Sequence, residues 1–86
     1  MAKQKGTISV DGRGYTRDIE ADLNSKAHAL FGSGIGKDFL TYLESLTTQS
    51  IHPAGTNIEV LAHAEGGRWL VAVIKARCEK GRKQGE

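Results

Sequence analysis

Between residues 18 and 79 the apolar side chains recur every three or four positions, and the run is broken twice, at Gly32–Gly36 and around Pro53 and Gly55. A period near 3.6 belongs to helices that bury one face. Two breaks in such a run divide it into three. In the first segment Ile19, Leu23, Ala27 and Leu30 or Phe31 form the stripe, with Asp18, Glu20 and Asp22 placed where a helix start favours negative charge. Gly32 is expected to end it by taking a positive φ, and Ser33 to cap the second. The apolar face of the second helix is read as Ile35, Phe39, Leu43 and Leu46, with Leu40 beside it, fading near Thr47 and Thr48. Thr56-Asn57-Ile58-Glu59 has the form of a capping box and opens a long third helix. Ile58, Ala62, Glu65, Trp69, Val73 and Ala76 lie on one face of it, and Leu61, Leu70, Val71 and Ile74 widen the band. This helix is expected to run to about Glu79, with Gly81 as its stop. The fold class that follows is mainly α: a three-helix unit over about 18–31, 34–48 and 57–80.

The charge of the 86 residues is +2 overall but unevenly placed. Residues 1–17 carry Lys3, Lys5, Arg13 and Arg17 against Asp11, and residues 75–86 carry Lys75, Arg77, Lys80, Arg82 and Lys83 against Glu79 and Glu86, so each end is +3 and the middle is −4. Thr7-Ile8-Ser9-Val10 followed by Asp11-Gly12 is a hairpin signal, although the return strand Tyr15–Arg17 is short. The expected organisation is a basic N-terminal arm or small β-ribbon (1–17), a helical domain (18–80) and a frayed basic tail (81–86). Lys3, Lys5, Arg13, Arg17, Lys80, Arg82 and Lys83 are the candidate contacts to nucleic acid or phosphate, acting through counterion release at the ends.

Several classes are excluded. The one cysteine, Cys78, cannot form an internal disulfide. No signal-peptide pattern follows Met1, and the longest apolar run, Trp69 to Ile74, is far too short to cross a bilayer, so a soluble protein without a membrane role is expected. Gly32-Ser33-Gly34-Ile35-Gly36-Lys37 invites a phosphate-loop reading. Phe31 stands where that motif needs its first glycine, however, and Asp38 where it needs a hydroxyl. The dinucleotide fingerprint fails as well, for want of a βαβ unit. His28, His52, His63 and Cys78 match no compact metal-ligand spacing. The cations around Cys78 favour a lowered thiol pKa, but no histidine neighbours it, and Glu44, Glu59 and Glu65 have plain structural explanations. No catalytic residue, cofactor or metal is expected, and the chain is read as non-enzymatic.

Glu65-Gly66-Gly67-Arg68-Trp69 is the most unusual local feature. Two glycines inside a helix cost roughly 1 kcal/mol each relative to alanine, which calls for an offsetting gain. Either another helix crosses closely there, or Gly66, Gly67, Arg68 and Trp69 form a face for a partner or ligand, with Arg68 and Trp69 supplying a charged and an aromatic contact.

Phe31-Gly32-Ser33, Gly36-Lys37, Leu40 and Leu43, followed by Glu65-Gly66 and Arg68, resemble a small domain family of tailed bacteriophages. Its pattern is Phe-Gly-Thr-Pro-Asp-Gly-Arg, then a Leu-rich helix, then a Glu-Gly-Arg-Arg helix. The resemblance spans roughly residues 27–78. Ser33 and Lys37 are conservative replacements, whereas Gly34 stands for the proline, Ile35 for the aspartate and Gly67 for the first arginine. It implies a phage origin and a helical fold, and it transfers no activity and no site.

The function expected is therefore that of a small phage-type binding protein, foremost a virion- or packaging-associated structural component. The alternatives are an intracellular phage factor that inhibits a host defence protein or sequesters a nucleotide ligand, and a nucleic-acid-binding accessory protein. So small a core favours a homo-oligomer, located in the host cytoplasm or the virion.

Overall fold

The computed structural model describes residues 8–85, and Lys3, Lys5 and Thr7 lie outside them. Three helices make up the unit: α1 (Arg17–Phe31), α2 (Gly34–Leu46) and α3 (Ile58–Gln84). The mainly-α three-helix reading is correct, and the boundaries move for identifiable reasons. Thr16 caps α1, its hydroxyl accepting from the Ile19 N–H at 3.3 Å. Gly32 ends α1 with an ordinary helical φ of −78°, and the positive φ falls instead on Gly34, at 61°. The turn is thus made two residues later than expected. Ser33 caps α2 by position only, since its side chain makes no capping hydrogen bond. Asn57, not Thr56, caps α3: its side chain accepts from the Glu59 N–H at 2.6 Å, while the Thr56 hydroxyl donates back to the Pro53 carbonyl at 2.5 Å.

The largest boundary difference is at the C-terminus. Gly81 does not stop α3, which continues to Gln84 and is capped at Gly85. Gly81 is buried in the crossing of α3 over α1, where an added Cβ would collide with the Asn24 carbonyl oxygen and the His28 Cβ. Its missing side chain therefore serves packing rather than termination. The two helices run antiparallel: Gln84 Nε2 donates to the Ala21 carbonyl at 3.1 Å, Gly81 sits on Asn24, and Cys78 Sγ donates to the Ala27 carbonyl at 3.2 Å. A second close approach lies at Gly36, where a Cβ would strike the Leu30 carbonyl, and it seats the start of α2 on the end of α1.

The faces turned inward are not the most apolar ones. On α3 the inner seam is Ala64, Gly67, Val71, Ile74, Cys78 and Gly81, spaced three and four residues apart as in a coiled-coil seam. On α2 it is Gly36, Leu40, Leu43 and Thr47, and on α1 it includes Glu20, Asn24, Ala27 and Phe31. Of the large apolar residues among those described, Leu40 and Val71 alone are buried, beside Asn24 and Arg77. Ile35, Phe39, Leu46, Ile58 and Trp69, expected in the interior, are exposed instead. The molecule measures 49 × 34 × 13 Å. Thirteen ångströms is little more than the diameter of one helix, so the three helices lie in a single layer. The radius of gyration, 15.4 Å, exceeds the roughly 12 Å of a compact chain of this length.

Candidate functional site

No strand forms among the described residues, so the expected ribbon is absent there. Residues 9–13 make a tight turn instead. The Ser9 N–H donates to the Arg13 carbonyl at 2.9 Å, the Gly12 N–H to the Ser9 carbonyl at 2.9 Å, and the Arg13 N–H to Asp11 Oδ1 at 2.9 Å. This turn is docked on the helices by Arg77. The Arg77 guanidinium is buried; Nη1 donates to Asn24 Oδ1 at 2.9 Å and lies 3.2 Å from Glu20 Oε2, and Nη2 donates to Ser9 Oγ at 2.9 Å and to Asp11 Oδ2 at 3.1 Å. The Tyr15 ring covers it at 5.5 Å, and the Tyr15 hydroxyl donates to Asp11 Oδ2 at 2.5 Å. A planar fork serving two carboxylates, an amide and a hydroxyl is a task that arginine fits and lysine does not. The Tyr15 hydrogen bond, with those from the Arg13 N–H and Arg77, holds the Asp11 carboxyl below the ordinary aspartate range, and the same bond raises the Tyr15 phenol.

Docking the turn gathers the basic residues. Because α1 runs against α3, Arg13 and the start of α1 at Arg17 lie at the same end of the molecule as the last turn of α3, with Lys80 and Lys83. Arg13 stacks on Tyr15 at 5.5 Å. Arg82 grips Glu79, through Nε at 3.1 Å and Nη2 at 2.5 Å, and Lys83 stands 4.0 Å from the same carboxylate. Of the described cations, Arg17 at the start of α1 thus shares an end of the molecule with Lys80 and Lys83 on the last turns of α3, whereas Arg77 is buried and Lys75 pairs with Glu44.

Gly66-Gly67-Arg68-Trp69 is split by the helix. Residues 100° apart in projection cannot share a face over four consecutive positions, and the structure sends them different ways. The Arg68 Nε donates to the Thr47 carbonyl at 3.1 Å and Nη2 to the Ser50 carbonyl at 2.7 Å, so its guanidinium ties the end of α2 to α3. Gly67 faces the Thr47 methyl, which a Cβ would meet at 3.3 Å. Gly66 has open space before it, and Trp69, 52% exposed, projects on the same outward side with Ile58 and Ala62. Of the two alternatives for these glycines, the close approach holds at Gly67, against the end of α2, and not at Gly66; a tighter one lies at Gly81.

A cleft of about 270 Å³ opens between the three helices, lined by Phe31, Lys37, Leu40, Glu44, Lys75 and Cys78 among others. Lys75 Nζ pairs with Glu44 Oε2 across it at 2.5 Å. The expectation that neighbouring cations lower the Cys78 pKa is overturned: the thiol turns into the helix interface, bonds to a backbone carbonyl, and burial pushes its pKa up. A protonated thiol held on a carbonyl is not poised for attack. Among the described residues no three His, Cys, Asp or Glu side chains converge as metal ligands, and no helix is long and apolar enough to cross a membrane.

Sequence reasoning missed two features. Arg77 was counted with the basic end, although its place one residue before Cys78 on the inner seam of α3 was a signal of burial. Tyr42 was passed over, although it extends the Ile35, Phe39, Leu46 stripe of α2. Comparisons of the chain with protein-family models, with curated proteins and with solved structures find no match.

Proposed function

We propose that the chain is a small non-enzymatic binding protein of phage type that acts as a structural or packaging-associated component, assembling through its apolar faces. The observation that carries this reading is the outward exposure of large apolar side chains on all three helices, among them Ile19, Leu30, Phe39, Leu46, Trp69 and Leu70. A free-standing soluble domain rarely leaves so many large apolar side chains in water, and where they cluster they mark an interaction site. The resemblance of residues 27–78 to a tailed-phage family supplies the setting. The test is a tagged chain expressed during infection. Recovery in purified particles at a fixed ratio to the major structural proteins is the expected result. Absence from particles together with a stoichiometric host partner moves the assignment to a host-directed factor.

A second reading is favoured by one further observation, the gathering of Arg13, Arg17, Lys80 and Lys83 at one end. On that reading the same end meets nucleic-acid phosphates. Four cations imply a log–log salt slope of roughly −3 to −4 for duplex DNA. A flat salt dependence rejects it.

A further inference from the structure

The outward stripe of α2 has a pattern that singles out its occupant. Ile35, Phe39, Tyr42 and Leu46 are exposed by 87%, 54%, 53% and 56%. Their spacing is four, three and four residues, and their chemistry is aliphatic, aromatic, aromatic, aliphatic. The stripe therefore reads the same from either end of the helix. Phe39 and Tyr42 lie tilted together, ring centroids 5.4 Å apart, at its centre. A surface that meets a copy of itself across a two-fold axis must be self-complementary, with residue i on residue j and j on i. A helix stripe with this palindromic pattern meets that condition when two copies cross antiparallel.

We infer that α2 is the two-fold contact of a homodimer, with Ile35 against Leu46 of the partner subunit and Phe39 against Tyr42 of the partner subunit. The dimensions agree. At 100° per residue, the stripe lies about a quarter of a turn from the inner edge formed by Gly36, Leu40 and Leu43, which places it on a broad face of the 13 Å layer. Stable domains consist of two packed layers, and stacking two copies converts one layer into two. The stripe carries no cation, and the exposed Asp38 beside it disfavours a phosphate backbone as the occupant. The inference deepens the binding reading above and rests on it only for the claim that these faces are occupied. A chain found monomeric yet built into particles defeats the dimer and spares that reading.

The test is carried out on the whole chain with Cys78→Ala as background, so that introduced thiols are the only ones. Light scattering is expected to give a dimer at tens of micromolar, and a monomer there overturns the proposal. Ile35→Cys chains mixed with Leu46→Cys chains are expected to form a disulfide heterodimer under mild oxidation. Ile35→Cys chains alone are not, because an antiparallel crossing sets the two copies of that position about 16 Å apart along the helix axis. Crosslinking of Ile35→Cys to itself, with none in the mixture, overturns the antiparallel geometry. Phe39→Asp is expected to weaken association about 100-fold or more while helical circular dichroism is retained, whereas Ile51→Asp, on the loop, leaves association unchanged. Equal effects of the two substitutions defeat the assignment of α2.

Discussion

Arg77 is the residue on which the interior turns. It brings charge into a layer that has almost no apolar core, and it is tolerated because two carboxylates, Asn24 and Ser9 occupy its donors and the Tyr15 ring covers it. Removing one partner of a buried ion pair typically costs 3–5 kcal/mol, because the other charge stays behind. Arg77→Met should therefore destabilise the chain by about 3 kcal/mol, read as a fall in the urea midpoint. Arg77→Lys should recover only part of this, since an ammonium cannot serve the four acceptors as a fork does. The docked turn also carries a pH dependence whose sign is fixed. The Asp11 carboxyl is lowered chiefly by the Tyr15 hydroxyl, so its contribution is present at neutral pH and is lost as pH falls below about 4. The Tyr15 phenol is raised by the same bond, so its contribution is lost as pH rises past about 10. The protection factors of the Ser9 and Gly12 amides, corrected for the intrinsic pH dependence of exchange, should be highest between those limits; protection that persists undiminished at pH 3 contradicts the arrangement. Arg77 was hidden in the sequence because its composition context is that of a basic tail. Only its register with Val71, Ile74 and Cys78 marked it, and register is visible once the inward face is known.

At the scale of the helices, glycines do opposite things at positions that look alike. Gly81 is required by the α1–α3 crossing, and Gly66 faces open space. Gly81→Ala should separate the two helices and destabilise by about 1–3 kcal/mol, as overpacking does. Gly66→Ala should stabilise the isolated chain by up to about 1 kcal/mol through helix propensity. If Gly66→Ala instead weakens particle incorporation while raising the thermal midpoint, the glycine is kept for a partner's close approach rather than for folding. The existence, order and number of the helices were legible in the sequence, because periodicity and the breaks at Gly32–Gly36 and Pro53–Gly55 are local signals. The inward faces were legible in part. Ala27, Phe31, Leu40, Leu43, Val71 and Ile74 belong both to the expected stripes and to the inner seam. Ile35, Phe39, Leu46, Ile58 and Trp69 turn outward instead, and the polar Asn24 and Arg77 are buried in their place. Hydrophobic periodicity reports which face is removed from water in the functional state, and it does not distinguish the chain's own interior from an interface.

At the scale of the whole molecule, a single layer of helices has more face than interior. Among the described residues, the cations at the start of α1 and on the last turns of α3 share one end, because α1 returns along α3 and the Asp11 turn docks beside Arg77. The apolar stripes that looked like a core form outer surface. A layer 13 Å thick has a further consequence, for heat. Unfolding an isolated copy exposes less apolar area than unfolding a compact domain of this length, so its heat-capacity increment should fall below the 12–15 cal/mol/K per residue usual for globular proteins. If copies pair through α2 as proposed, a further part of the increment belongs to the step in which they separate. Calorimetry over a hundred-fold range of concentration should then show a melting temperature that climbs with the amount of chain, and a fixed midpoint would mean that each layer stands alone. For a chain that pairs in the proposed way the thermal midpoint becomes a gauge of abundance as well as of sequence, lowest where the chain is dilute and higher wherever its copies accumulate.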